Sequence, residues 1–160
     1  MKNFIFLSII SIISSCTKDN PEPTSTNLDN SVIIYLNSSE GNNLLNTINY
    51  NSNNYRIYYK NGNEYIEQNN SNLDYPKNFF INSETNPISM KLFLNHLSTE
   101  TNPITVVKWN DTESDTLKTF FRRGTDNNTD YEICEKIWLN DALIWDINNN
   151  QNSRQITIIK

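Results

Sequence analysis

Between Ser31 and Lys160 no stretch of ten residues repeats its apolar positions with helical spacing, and that absence limits the fold more than any other feature. Short runs rich in Val, Ile, Tyr, Phe and Trp alternate with polar residues instead, and each stops at Asn, Asp, Gly or Pro. Only "EGNNLLNTI" has the spacing for a turn of helix. The clearest element is "YRIYYK", Asn61-Gly62, "NEYIEQ". Asn-Gly favours the type I′ turn whose twist matches a β-hairpin. With those two residues as the turn, Lys60 faces Asn63, Tyr58 faces Tyr65, Ile57 faces Ile66 and Arg56 faces Glu67. Tyr55, Ile57, Tyr59 and Ile66 then make a core face. Arg56, Tyr58, Lys60, Tyr65 and Glu67 make a solvated one, with an opposite-charge pair beside two tyrosines.

The remaining runs read the same way. "SVIIYL" and "NFFIN" are short strands, and "ISMKLFLNHL" puts Ile88, Met90, Leu92 and Leu94 on one side. "ITVVKW" follows, and "DTLKTFF" puts Leu117 and Phe121 on one side. "YEICEKIWL", Asn140-Asp141 and "ALIWD" form a second hairpin, and "RQITIIK" is a last strand. A two-residue turn at Asn140-Asp141 sets Trp138 opposite Leu143 and Trp145 opposite Lys136, which would give packing and a cation–π contact. Eight to nine short strands with turn signals every 8–12 residues argue an all-β, immunoglobulin-like antiparallel β-sandwich.

The amino terminus gives an address. Met1-Lys2-Asn3 is a short basic start, and Phe4 to Ile13 is an apolar core of ten residues. As a helix it reaches ~15 Å against ~30 Å of bilayer hydrocarbon, so it has the size of a signal-peptide core rather than a membrane span. Small residues Ser14-Ser15 then lead into Cys16. A plain secretory signal followed by an unrelated cysteine is the alternative at this point. Residues 17–30, "TKDNPEPTSTNLDN", hold two prolines and almost nothing apolar, and read as a flexible tether. The expected organisation is a signal peptide at 1–15, Cys16 and a linker at 16–30, and one sandwich domain at 31–160.

Ile13-Ser14-Ser15-Cys16 resembles the lipobox of bacterial lipoproteins, with Ile and Ser where Leu and Ala or Gly are usual. The resemblance implies cleavage before Cys16, diacylglycerol on its sulfur and acylation of the new amino group. Several acyl chains hold a protein stably where one does not. In Bacteroidota, a lysine followed by acids just after the cysteine resembles the signal for export to the outer face of the outer membrane. Lys18-Asp19 matches it in part, and a periplasm-facing anchor is the alternative. "SEGNNLLN", "VVKWNDTESDTLK" and "KIWLNDALIW" resemble recurring pieces of uncharacterised Bacteroidota lipoproteins, over roughly Val32 to Asp146. The likeness implies a β-sandwich at the outer membrane and carries no activity. Asp115-Thr116-Leu117 also resembles an O-glycosylation motif of the same bacteria.

Composition closes off some functions. The net charge of −5 and a longest basic cluster of only Arg122-Arg123 argue against nucleic acid, which needs clustered cations. The 30 asparagines are scattered among strand patterns rather than massed, as expected of loop filling in an AT-rich genome. His96 is the only histidine, and no C-x-x-C or H-x-x-x-H spacing exists for zinc. Cys134 reads as a buried small hydrophobe. Asp111, Glu113 and Asp115, and then Asp126, Asn128 and Asp130, place oxygens at alternate positions as calcium loops begin, but without the glycine or the closing glutamate. No pattern calls for a cofactor. Tyr58, Tyr65, Trp109, Trp138 and Trp145 could stack on sugars, although aromatics also pack between sheets. The expected function is therefore a lipid-anchored, non-catalytic binding or structural module with a glycan or protein ligand. Its alternatives are a glycan-binding accessory protein of a surface uptake system, marked by two or more aromatics on one exposed face, and a hydrolase, marked by carboxylates converging in a cleft.

Overall fold

The computed structural model describes residues 25–97, 99–149 and 153–160. Eleven strands are present among the described residues: β1 (Ser25–Asp29), β2 (Ser31–Asn37), β3 (Arg56–Asn61), β4 (Glu64–Glu67), β5 (Phe79–Asn82), β6 (Ser89–Phe93), β7 (Ile104–Lys108), β8 (Ser114–Asp126), β9 (Thr129–Leu139), β10 (Ala142–Asp146) and β11 (Gln155–Ile159). They form two sheets packed into a sandwich. The larger runs β1-β9-β8-β7-β3-β4, with β10 also on β9, and the smaller runs β11-β2-β6-β5. Strands β2 to β8 follow the B-C-C′-D-E-F-G connectivity of an immunoglobulin-type sandwich, with β11 in the place of strand A. Strands β9, β10 and β1 extend the larger sheet beyond that plan.

The alternation seen in sequence is the alternation of the core. Val32, Ile34 and Leu36 of β2 face Met90 and Leu92 of β6 and, from the opposite sheet, Ile57, Val107, Leu117 and Ile137. Each such side chain contributes ~1.5–3 kcal/mol by leaving water. Tyr55 meets Trp109 edge-on at 5.3 Å between centroids and donates its hydroxyl to the Tyr50 carbonyl at 2.6 Å. The Tyr59 hydroxyl crosses between the sheets to the Phe93 carbonyl at 2.8 Å.

Several expectations are corrected. The sandwich is not wholly antiparallel, because β1 pairs β9 and β11 pairs β2 in parallel. Side-chain alternation carries no strand direction, so this was invisible in sequence. Residues 25–29, read as the end of the tether, form β1 with every side chain exposed. Backbone pairing and one arginine hold it rather than apolar burial. The Arg154 guanidinium donates to both Asp29 oxygens (2.7 and 2.8 Å), to the Ser31 carbonyl (2.8 Å) and to the Cys134 carbonyl (2.9 Å), and lies 4.9 Å from the Trp145 ring centroid. That hydrogen bonding holds the Asp29 carboxyl below the usual range. Residues 40–48 make turns and an isolated bridge, Asn37 to Asn43, and no helix.

Both hairpins form, with one shift each. In the first, Asn61 pairs with Glu64, so Gly62-Asn63 is the turn; positive φ falls on Gly62 (58°) and not on Asn61, as a I′ turn at Asn61-Gly62 would need. Moving the turn by one residue slips the register by two. Tyr58 therefore pairs with Glu67 and Lys60 with Tyr65, while both faces keep their members. Ile66 nonetheless stays exposed, because β4 is an edge strand. In the second hairpin Asn140 (φ 47°) and Asp141 (φ 70°) make a two-residue turn, and Trp138 faces Leu143 as expected. A bulge after Leu143 then sets Trp145 opposite Ile137 and leaves Lys136 to Asp146. Strands β8 and β9 run on past "DTLKTFF" and "YEICEKIWL" and join at Asn127-Asn128, both with positive φ.

Candidate functional site: the outer face of the larger sheet

The outer face of the larger sheet carries Arg56, Tyr58 and Lys60 from β3, Ile104, Val106 and Lys108 from β7, Thr116, Lys118 and Phe120 from β8, and Lys136 and Trp138 from β9. Pairing fixes their lateral order. Lys60 sits opposite Tyr65, and the Tyr59–Thr105 pair brings Lys60 beside Ile104 on its other flank. Ile104 pairs with Lys118, Lys118 with Trp138, and Trp138 with Leu143. One straight row therefore crosses six strands: Tyr65, Lys60, Ile104, Lys118, Trp138, Leu143. At ~4.8 Å per strand, Tyr65 and Trp138 stand ~19 Å apart. Tyr65 is 55% exposed and Leu143 is 50% exposed. The Lys118 ammonium lies 5.6 Å from the Trp138 ring centroid and 3.0 Å from the Asp141 carboxylate. No carboxylate belongs to the row itself.

The neighbouring row holds Glu67, Tyr58, Val106 and Thr116. Glu67 accepts from Arg56 at 3.3 Å and from the Tyr58 hydroxyl at 3.4 Å, so the expected charge pair forms beside the tyrosines. Burial, then the Glu67 charge, raises the Tyr58 pKa and keeps its hydroxyl a donor. Lys108 to the exposed Asp111 (3.7 Å) and Lys136 to the largely buried Asp146 (3.4 Å) are further pairs at the margins.

The proposed stacking residues therefore divide. Tyr58, Tyr65 and Trp138 share the outer face. Trp109 and Trp145 are 0% and 4% exposed, which removes them from any surface platform. Trp109 lies on the inward phase of β7 and donates its indole N–H to Asp115 at 2.6 Å. Trp145 is turned inward by the β10 bulge and donates to the Ser153 carbonyl at 3.1 Å. Sequence reading missed Lys118, Ile104 and Leu143 as row members. Alternation puts Lys118 on the outward phase of "DTLKTFF", but only the cross-strand register lines it up with Trp138.

The calcium candidates do not converge. Asp111 is an exposed turn residue beside Lys108, and Glu113 accepts from Asn110 at 3.0 Å. Asp115, 4% exposed, points into the sandwich with its oxygens taken by Trp109 (2.6 Å), Lys160 (2.7 Å) and Asn140 (2.8 Å). Asn128 is a turn residue between β8 and β9, with Asp126 before it, and Asp130 accepts from the Thr125 hydroxyl at 2.6 Å. Among the described residues no group of three His, Cys, Asp or Glu side chains could hold a metal ion. Asp115-Thr116-Leu117 lies inside β8.

A cleft of about 480 Å³ opens at the side of the sandwich where β1 and β6 end, lined by Leu28, Gln68, Asn78, Phe93, His96 and Leu97 among others. His96 Nδ1 lies 3.2 Å from a Glu132 oxygen, whose carboxylate also accepts from Arg123 at 2.7 Å. One carboxylate beside one imidazole is not the pair of acids a glycosidase needs. Cys134 is buried in β9, and burial pushes its thiol up to about 12, far from a nucleophile's range. Cys16, Lys18 and Asp19 lie outside the described residues. No family model, no curated protein and no solved structure matches the chain.

Proposed function

We propose that this chain is a lipid-anchored lipoprotein of the outer membrane, of the Bacteroidota type its sequence resembles, and a non-catalytic binding module for glycans. Cys16 carries the anchor, Lys18-Asp19 directs it outward, and the outer face of the larger sheet is its working surface. The observation that carries the reading is the placement of Tyr58, Tyr65 and Trp138 on one solvent-facing surface, the arrangement that separates a glycan binder from a domain whose aromatics only pack. A sheet face that presents aromatics on several strands suits an extended ligand, since sugar rings can lie on successive aromatic faces while Thr and Lys side chains meet their hydroxyls.

The test is a glycan array probed with the full chain purified in detergent, beside Trp138→Ala and Tyr65→Ala chains. Binding to a defined set of glycans that both substitutions abolish supports the reading. Binding unaffected by either substitution sinks it. Mass spectrometry of the mature amino terminus tests the anchor: an acylated Cys16 is expected, and an unmodified terminus elsewhere refutes it.

A further inference from the structure

Resting on the reading of this face as a glycan surface, we infer that its ligand is an acidic polysaccharide whose carboxylates fall on alternate sugars. The row Tyr65, Lys60, Ile104, Lys118, Trp138 is symmetrical in chemistry, with an aromatic at each end, a cation inside each aromatic and an apolar residue at the centre. Lys60 and Lys118 are two strand steps apart, ~10 Å, or about two pyranose rings laid end to end. A chain running along the row would stack its end sugars on Tyr65 and Trp138. It would set one carboxylate at each lysine and pass an uncharged ring over Ile104.

The charges available favour this spacing. Lys60 has no ion-pair partner among the described residues. Lys118 is held over Trp138, and its partner Asp141 is 91% exposed on a hairpin turn. An exposed pair of that kind contributes little and yields to a better-placed carboxylate. A densely charged polyanion is disfavoured, because Glu67 and Asp146 flank the row and the chain as a whole carries −5. A wholly neutral sugar leaves both ammonium groups unused.

The experiment measures binding of the full chain in detergent to three probes by calorimetry. They are an octasaccharide of alternating N-acetylglucosamine and glucuronate, the same octasaccharide with its carboxyls reduced to alcohols, and a poly-glutamate of equal charge. The inference expects the acidic octasaccharide to bind at least about tenfold more tightly than either control. Lys60→Gln and Lys118→Gln should each weaken it about fivefold and flatten its salt dependence, with unchanged melting temperature. Trp138→Ala should weaken both sugars. Equal binding of the reduced octasaccharide overturns the acidic assignment and leaves the glycan reading standing. Equal binding of poly-glutamate overturns both, since the face would then be a plain cation patch. No binding of either octasaccharide overturns the alternate-carboxylate assignment, and the glycan array decides the broader reading separately.

Discussion

The buried pair Asp115–Lys160 should be the most sensitive point of the sandwich. The carboxylate is 4% exposed and the lysine side chain 15%, with Nζ 2.7 Å from Oδ2. Asp115 also accepts from the Trp109 indole and from Asn140, the first residue of the β9–β10 turn, so one side chain joins the chain's last residue, the core tryptophan and a hairpin. Asp115→Asn keeps the shape but removes the charge, and turns an N–H₂ toward groups that are themselves donors. Removing one partner of a buried pair costs ~3–5 kcal/mol. Lys160 is partly exposed and can swing toward water, so the lower end, ~3 kcal/mol, is expected. For a domain of this size that is a fall of roughly 10–15 °C in Tm. Urea unfolding followed by tryptophan fluorescence reads it directly. Lys160→Met in the same chain should recover part of the loss, with a coupling of ~1.5 kcal/mol or more. A single-mutant cost below ~1 kcal/mol, or additivity within ~0.5 kcal/mol, would refute the reasoning.

The same pair sets an acid limit. Burial would raise the Asp115 pKa, but hydrogen bonds from Lys160, Asn140 and Trp109 outweigh it and leave the pKa below the ordinary 3.8. A carboxyl depressed on folding contributes stability that is present above its unfolded pKa and is lost as pH falls through the folded one. The wild type should therefore lose stability below pH ~4, and the Asp115→Asn deficit should shrink over the same window.

Three further outcomes follow from particular contacts. Arg154→Met should cost ~3 kcal/mol and expose residues 25–29 to protease before the rest of the domain, and Arg154→Lys should not rescue it, because an ammonium cannot fork across both Asp29 oxygens. Limited proteolysis beside a thermal melt checks this, and equal resistance of β1 in wild type and variant would count against it. In a Cys16→Ser chain, Cys134 should resist a disulfide reagent in mild alkali and react fully in strong guanidinium; fast native labelling would contradict its buried thiol. Asp141→Gly should raise stability by up to ~1 kcal/mol, since φ of 70° strains any residue with a Cβ, and a lower melting temperature would show that the exposed Lys118 pair outweighs the relief.

Much of the fold was legible because burial has a period. Tyr55, Ile57 and Tyr59, then Met90, Leu92 and Leu94, then Leu117 and Phe121, were all expected inside and are inside. Turn chemistry located both hairpins, since Asn, Asp and Gly are the residues that accept positive φ. β1 was missed because nothing on it is buried, and a strand held by backbone pairing and a distant arginine leaves no apolar trace. Trp109 and Trp145, stacking candidates with packing between the sheets as the other reading, take the packed places; an indole signals large apolar area without saying which side of a strand it takes after a turn or a bulge.

By itself, the sequence determined most of the side chains that face the core and where the two hairpins lie, because these depend on period two and on local backbone preference. Only the tertiary structure decided the strand directions, the extension of the larger sheet by β9, β10 and β1, and the row that joins Tyr65 to Trp138. The reason is parity: a slip of two residues leaves every face unchanged, so alternation cannot detect it, yet it decides which residues stand side by side across the sheet.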